Sequence, residues 1–432
     1  MKNFYAIARF RMATPADTVD GGVIIPAGIA APVLARRKLS KKFPHLRRRL
    51  LDPQIYLANL SASLCAETCT NLISYGWFGE ASIDQYDSQK LTQAQWKASV
   101  IGDVLKKWKG KLPSADVDID NSITTCLALQ AAMECEMLIL PAPLISSTKD
   151  ISTSLQWLDR GLAATQKLKL TSPALATIAI SDHCLRAFEA WSNPIIDSIL
   201  DQVTARAPYG AYVVLEQASE DGYYFNHPNT VSSLLRLVDG LKAGGLKHVH
   251  VAFAGVAGLL SLIAGADTWS AGWYRSQRRL RLRDFEQKEG RAYPAYYSHA
   301  LAAELHLDAD LDATITGGFL PKLGDNTPAS EGLLRALSTG KRVSSVPEWQ
   351  YRQSNITRAT EHFLHAMTRE TRKLSSMTQD QQIKYGRDWL DGATRLAAEI
   401  SRIGTEFNAR TSLIHQLTWQ QAFDEYCSNA QS

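Results

Sequence analysis

The sequence predicts an α/β fold, a TIM-like (β/α)8 barrel with an appended helical C-terminal region, and three observations predict it. First, short runs rich in β-branched and apolar residues alternate with helical stretches of about a dozen residues, the pattern of a parallel sheet wrapped by helices. Second, residues 246–279 (LKHVHVAFAGVAGLLSLIAGADTWSAGWYRSQRR) read as strand, Gly turn, short helix, Gly265-Ala266-Asp267 and strand, a βαβ unit of the kind that closes such barrels. Third, no early strand and turn carries a Gly-x-Gly-x-x-Gly fingerprint, which counts against an open dinucleotide-binding sheet.

Taken in order, residues 4–10 alternate as a strand, and residues 21–27 (GGVIIPA) form a second β-like run ended by Pro26 and Gly28. Residues 50–60 (LLDPQIYLANL) read as an early barrel strand with Asp52 and Gln54 at its entrance, the end that more often carries stability than catalysis. A helix over 61–74 leads to Tyr75, Trp77 and Phe78, an aromatic loop for which core packing and base stacking are both open. Helices are expected over 92–111 and 120–135, then a strand over 137–140 ended by Pro141-Ala142-Pro143. An amphipathic helix over 151–168 precedes the buried strand ALATIAIS (174–181), which stops at Asp182-His183. After a helix over 193–205, AYVVL (211–215) stops at Glu216-Gln217, and a helix over 230–241 leads into the βαβ unit. That gives seven or eight strands. The barrel is assigned to residues 1–316, with a basic N-terminal loop and helical insertions. Residues 317–354 read as a linker or long loop, and 355–432 as a helical region that packs on the barrel or binds a partner protein.

Composition restricts the function classes. With 45% hydrophobic and 21% charged residues among 432, the chain has the profile of a globular protein. No run reaches the roughly 18 uncharged apolar residues of a membrane span, and Arg9 and Arg11 interrupt the N-terminal apolar stretch, so a cytoplasmic protein with no membrane partner is expected. The six cysteines are scattered, and only Cys65 and Cys69 are close, so buried, inert thiols are expected instead of a zinc site. A net charge of +4 does not by itself imply nucleic-acid binding, but its distribution is uneven. Residues 36–49 hold eight Lys and Arg with no acid, and 275–291 hold seven against three acids. Such runs are solvated loops or contacts to phosphates, which makes tRNA or DNA a candidate partner.

Residues just past the C-terminal ends of barrel strands face the active site, so the candidates are Asp182, His183, Glu216, Gln217, Asp267, Ser270 and Arg275. Asp182, Glu216 and Asp267 are the catalytic candidates, able to supply acid, base or nucleophilic chemistry; a carboxylate at a strand end can equally cap the next helix. Gly255 and Gly258 fit either a backbone cradle for an anion or tight helix-against-sheet packing. His248 and His250 begin a strand without a completing ligand set, and Glu361, His362 and His365 lack one too, so no metal and no cofactor is expected.

The run of penultimate strand, Gly turn, short helix, Gly265-Ala266-Asp267, an aromatic and then arginines resembles the closing portion of tRNA-guanine transglycosylases and related base-exchange barrels over about 35 residues. The resemblance implies a nucleic-acid- or nucleotide-directed transferase acting on a nucleobase or glycosidic bond. It matches Asp267 to the family's first aspartate, Trp269 to its aromatic, and Arg275, Arg278 and Arg279 to its basic tail near the nucleic-acid backbone. The family's nucleophile position falls on Ser270. Three alternatives follow: the register shifts, Asp267 serves instead, or the barrel does not exchange bases. The family's zinc-binding cysteine cluster has no counterpart. The rival expectation is a non-catalytic barrel acting as a recognition or scaffold subunit of a larger assembly. A third is an enzyme for a small phosphorylated metabolite.

Overall fold

The computed structural model describes residues 2–7, 19–30, 48–78, 108, 110–218, 223–286, 294–350, 352, 355–402 and 413–430. Most of the basic run at 36–49, most of the helix expected over 92–111, and the end of the 275–291 run with Tyr293 lie outside the described residues.

A parallel barrel forms the centre. Its strands are β1 (Asn3–Ile7), β2 (Gly22–Pro26), β3 (Arg49–Asp52), β4 (Leu138–Ile139), β5 (Leu144–Ile145), β6 (Ala174–Ser181), β7 (Gly210–Glu216), β8 (His248–Ala252) and β9 (Thr268–Gly272). They are ordered β3-β2-β1-β9-β8-β7-β6-β4, with β5 also on β6. The nine segments fill eight positions, because β4 and β5 are one strand interrupted at Pro141-Ala142-Pro143. Proline has no N–H for the ladder, so pairing lapses there and resumes at Leu144. The ring nearly closes where Glu136 N–H donates to Arg49 O at 3.1 Å.

Helices alternate with the strands: α1 (Ala66–Ile73), α2 (Asp116–Ala132), α3 (Asp150–Lys167), α4 (Asp182–Arg186), α5 (Pro194–Ala205), α6 (Pro228–Ala243) and α7 (Gly258–Ile263). Local chemistry sets their starts. Asn193 Oδ1 accepts from Ile195 N at 3.0 Å and Pro194 occupies the first turn of α5, where a missing N–H costs nothing. The same helix buries Ile195, Ile196, Ile199 and Val203, one apolar stripe worth about 1.5–3 kcal/mol per side chain.

Beyond the barrel, β10 (Ala295–Ser298) and β11 (Ala303–His306) pair as an antiparallel hairpin in the aromatic stretch that follows the arginines. The segment read from sequence as a linker carries α8 (Asp312–Thr316), α9 (Leu320–Leu323) and α10 (Glu331–Ser338), and it buries Leu333, Leu337 and Trp349. The C-terminal helices are α11 (Ile356–Ser375), α12 (Gln379–Arg402) and α13 (His415–Ala430). They are part of the barrel's wall. α11 lies against β1 and α7, and α13 against α6, so the helical region completes the outer layer that the short α7 leaves thin. No described helix is long and apolar enough to cross a membrane.

Candidate functional site

Strand alternation decides which side chains reach the barrel axis. The register places Tyr5 beside Ser270, Tyr212 beside His250 and His250 beside Thr268, and these five fill one buried interior layer. Two inward positions nearer the C-terminal mouth, Ser181 aligns with Glu216, and Asp52 ends β3. The mouth therefore gathers carboxyls from β3, β6 and β7.

Asp52 is fully buried and held by neutral donors. Tyr56 Oη donates to its Oδ2 at 2.5 Å, Tyr212 Oη to the same oxygen at 3.0 Å, and Gln54 N to Oδ1 at 3.1 Å. Burial pushes its pKa up to about 6, against the hydrogen bonds, which favour the charged form. Gln54 in turn accepts from Gly28 N at 2.8 Å, tying β2 to β3 at the mouth. Glu216 is also raised above the usual carboxylate range, first by burial and then by neighbouring Asp182, while a hydrogen bond with Ser181 opposes the shift. Asp182 is buried and accepts from Ala218 N at 3.1 Å, joining the loops after β6 and β7. His183 is exposed at the rim.

Gln217, next in the chain to Glu216, lines a small cleft together with Tyr223, Tyr224, Phe253, Gly255, Arg278 and Trp419. Its backbone N–H donates to Leu280 O at 2.8 Å, yet its side-chain Oε1 has no hydrogen-bonding partner among the described residues although Gln217 is only 1% exposed. A buried acceptor without a partner costs about 1–3 kcal/mol, which a ligand N–H would recover.

The two glycines separate. Gly255 has φ +52 and lines the cleft, so it supplies backbone in a conformation that favours glycine. Gly258 packs: a Cβ there would stand 2.0 Å from Trp269 Cε3. Trp269 alternates outward between inward Thr268 and Ser270, and its Nε1 donates to Thr371 Oγ1 of α11 at 3.0 Å; it belongs to the barrel–helix interface and not to the cleft. Asp267 precedes β9 at the opposite end of the barrel, where its Oδ2 accepts from Lys242 Nζ at 3.0 Å and Val249 N at 2.8 Å. It therefore does not join Asp182 and Glu216. Ser270 is fully buried in the interior layer, 3.0 Å from His250 Nε2.

The three arginines are engaged internally. Arg278 is 4% exposed, pairs with buried Glu304 and lies over the Phe363 ring at 3.5 Å. Arg275 sits 3.6 Å from Glu304 and 4.2 Å over Tyr223, and Arg279 pairs with Asp284 at 3.0 Å. Together they strap the segment after β9 across the mouth, where Leu280 bridges to Glu216. Arg48 and Arg49, the described end of the basic run, face Glu136 and Glu134 at 3.6 and 3.8 Å.

Among the described residues no group of three or more His, Cys, Asp or Glu is arranged to hold a metal ion. His248 Nε2 and His250 Nδ1 both meet Thr268 Oγ1 at 2.8 Å, and His362 is satisfied by Thr327 and the Tyr297 carbonyl. All six cysteines are free and buried; burial pushes Cys69 up to about 12, which leaves it a protonated thiol. Tyr75 and Trp77 stack at 4.4 Å inside the core.

Sequence reading placed Asp52 at the entrance of its strand and passed over Tyr56 and Tyr212. The signal for Asp52 was Pro53, which cannot continue a ladder and so ends β3 at the mouth. No protein-family model matches this chain, and no curated protein matches it.

Proposed function

We propose that the barrel is an enzyme that binds a nucleobase at its mouth and acts on the glycosidic bond, in the manner of a base-exchange transferase. The observation that carries this reading is an aromatic cleft next to Glu216 in which the buried Gln217 Oε1 has no partner among the described residues, with Asp52 ending β3 at the same end of the barrel. Breaking a glycosidic bond needs one carboxyl to protonate the leaving group and another, ionised, to attack or stabilise the anomeric carbon. Asp52, titrating near 6, suits a proton-carrying role, and Glu216 and Asp182 stand at the ends of β7 and β6 at the same end of the barrel. The residues the resemblance to base-exchange barrels would use, Asp267 and Ser270, lie away from the cleft, so this reading rests on other side chains.

A tRNA or DNA substrate supplies the glycosidic bond in this reading. The test is incorporation of labelled free purine bases into tRNA, single-stranded DNA and duplex DNA. Incorporation into one polymer, lost in Asp52→Asn and reduced at least a hundredfold in Glu216→Gln, is expected. No incorporation into any of the three, with the base still bound by the protein, would favour the recognition or scaffold reading instead.

A further inference from the structure

Barrel interiors are ordinarily filled by branched aliphatic side chains, and this one is not. Its middle layer holds Tyr5, Tyr212, His250, Thr268 and Ser270, all buried. We infer that Tyr212 and His250 form a positioning pair inside the core, in which His250 holds the Tyr212 ring so that its hydroxyl meets Asp52 and governs the charge state of that carboxyl. The inference rests on the reading of Asp52 as the proton-carrying group of the site.

The geometry runs outward from the strand bearing His250. Its imidazole cannot turn without breaking two contacts, Nδ1 to Thr268 Oγ1 at 2.8 Å and Nε2 to Ser270 Oγ at 3.0 Å. The Tyr212 ring lies parallel to it, 5.2 Å between centroids at 10°, while Tyr5 stands edge-on at 5.5 Å and 82°. Clamped in this way, the Tyr212 hydroxyl reaches Asp52 Oδ2 at 3.0 Å. Across the layer, a residue of β8 thus acts on a residue at the end of β3.

The surrounding ionisable groups are few. Tyr56 and Tyr212 face Asp52 directly, the Cys126 thiol of α2 lies close enough to feel its charge, and no ion pair reaches it among the described residues. Around His250 stand His248, Tyr212 and Tyr5, the last bonded to Glu136. Burial holds His250 well below the ordinary histidine range, so the pair stays neutral and acts through hydrogen-bond direction, not charge. A phenol donating to a buried carboxylate stabilises the ionised form; losing that donor, or the ring that aims it, must raise the carboxyl's titration.

The test follows the Asp52 carboxyl stretch by infrared difference spectroscopy against Asp52→Asn, from pH 4 to 9. Tyr212→Phe is expected to raise the midpoint by about one pH unit, and His250→Leu, which removes the stacked ring, by a similar amount. Their combination should shift it no further than Tyr212→Phe alone, the mark of two residues acting through one contact. His250→Phe keeps a ring against Tyr212 and should leave the midpoint where it is. A wild-type midpoint in His250→Leu, an additive double variant, or an equal shift in His250→Phe would overturn the inference. Where His250→Leu does not fold, the double variant Thr268→Val/Ser270→Ala, which frees the imidazole, is expected to raise the midpoint, and a wild-type midpoint there overturns the inference. The readout needs no substrate, so a failed base-exchange assay with these shifts present rejects the proposed function and leaves the positioning pair standing.

Discussion

Asp52→Asn should abolish turnover and yet make the protein more stable at pH 8. The carboxyl's folded pKa of about 6 lies above its ordinary 3.8, so the folded state binds the proton more tightly than the unfolded chain. The stability this group contributes is therefore fully present below about 3.8 and is lost as pH rises through about 6. At pH 8 the ionised carboxylate costs the fold up to about 3 kcal/mol, which the neutral amide avoids at the expense of weaker bonds from Tyr56 and Tyr212. A net gain of about 1–2 kcal/mol in urea unfolding at pH 8, shrinking to zero or reversing near pH 4, is expected. Such an exchange of stability for activity marks a working site. His299 and His362, each held near 4 by burial, act in the opposite sense: their contribution is fully present above about 6.5 and falls away as pH drops toward 4.

Arg278→Met should cost about 3–5 kcal/mol of stability. The guanidinium is buried against Glu304, donates from Nε to Gly272 O at 3.2 Å and covers the Phe363 ring, so its loss leaves a carboxylate that is 2% exposed facing only Arg275 at 3.6 Å. Adding Glu304→Gln removes the stranded charge and should restore at least half of the loss. Thermal unfolding of the two variants checks this. A wild-type midpoint in Arg278→Met, together with weakened tRNA or DNA binding, would instead assign this arginine to phosphates.

How legible this architecture is differs by element, for physical reasons. The strand ALATIAIS announces itself because it is buried on both faces and stops at Asp182, and AYVVL does the same before Glu216. These two strand ends are also where sequence reading found carboxyls that the fold brings together. Residues 50–60 misled because one apolar run spans a strand end and a following turn; Asp52 looked like an entrance and is the mouth. Tyr212 is invisible to such reading, since a strand-interior tyrosine acquires meaning only through its neighbours across the barrel. Trp269 was open to correction from sequence, because period-two alternation puts it on the face opposite Thr268 and Ser270. The arginines could not be placed: a basic run reads as solvated until Glu304, 26 residues away, is seen beneath Arg278.

Binding calorimetry with adenosine, guanosine and purine riboside, on the wild-type protein and on Gln217→Leu, tests the central claim most directly. The base of purine riboside lacks the N–H donors of the other two, while its ribose is the same, so its base cannot fill the Gln217 acceptor. A base-binding mouth predicts that adenosine or guanosine binds at least tenfold more tightly than purine riboside, and that Gln217→Leu erases the difference while the protein stays folded. If none of the three binds, or if all bind wild type and variant alike, the cleft does not read a nucleobase through Gln217 and the account fails at its centre.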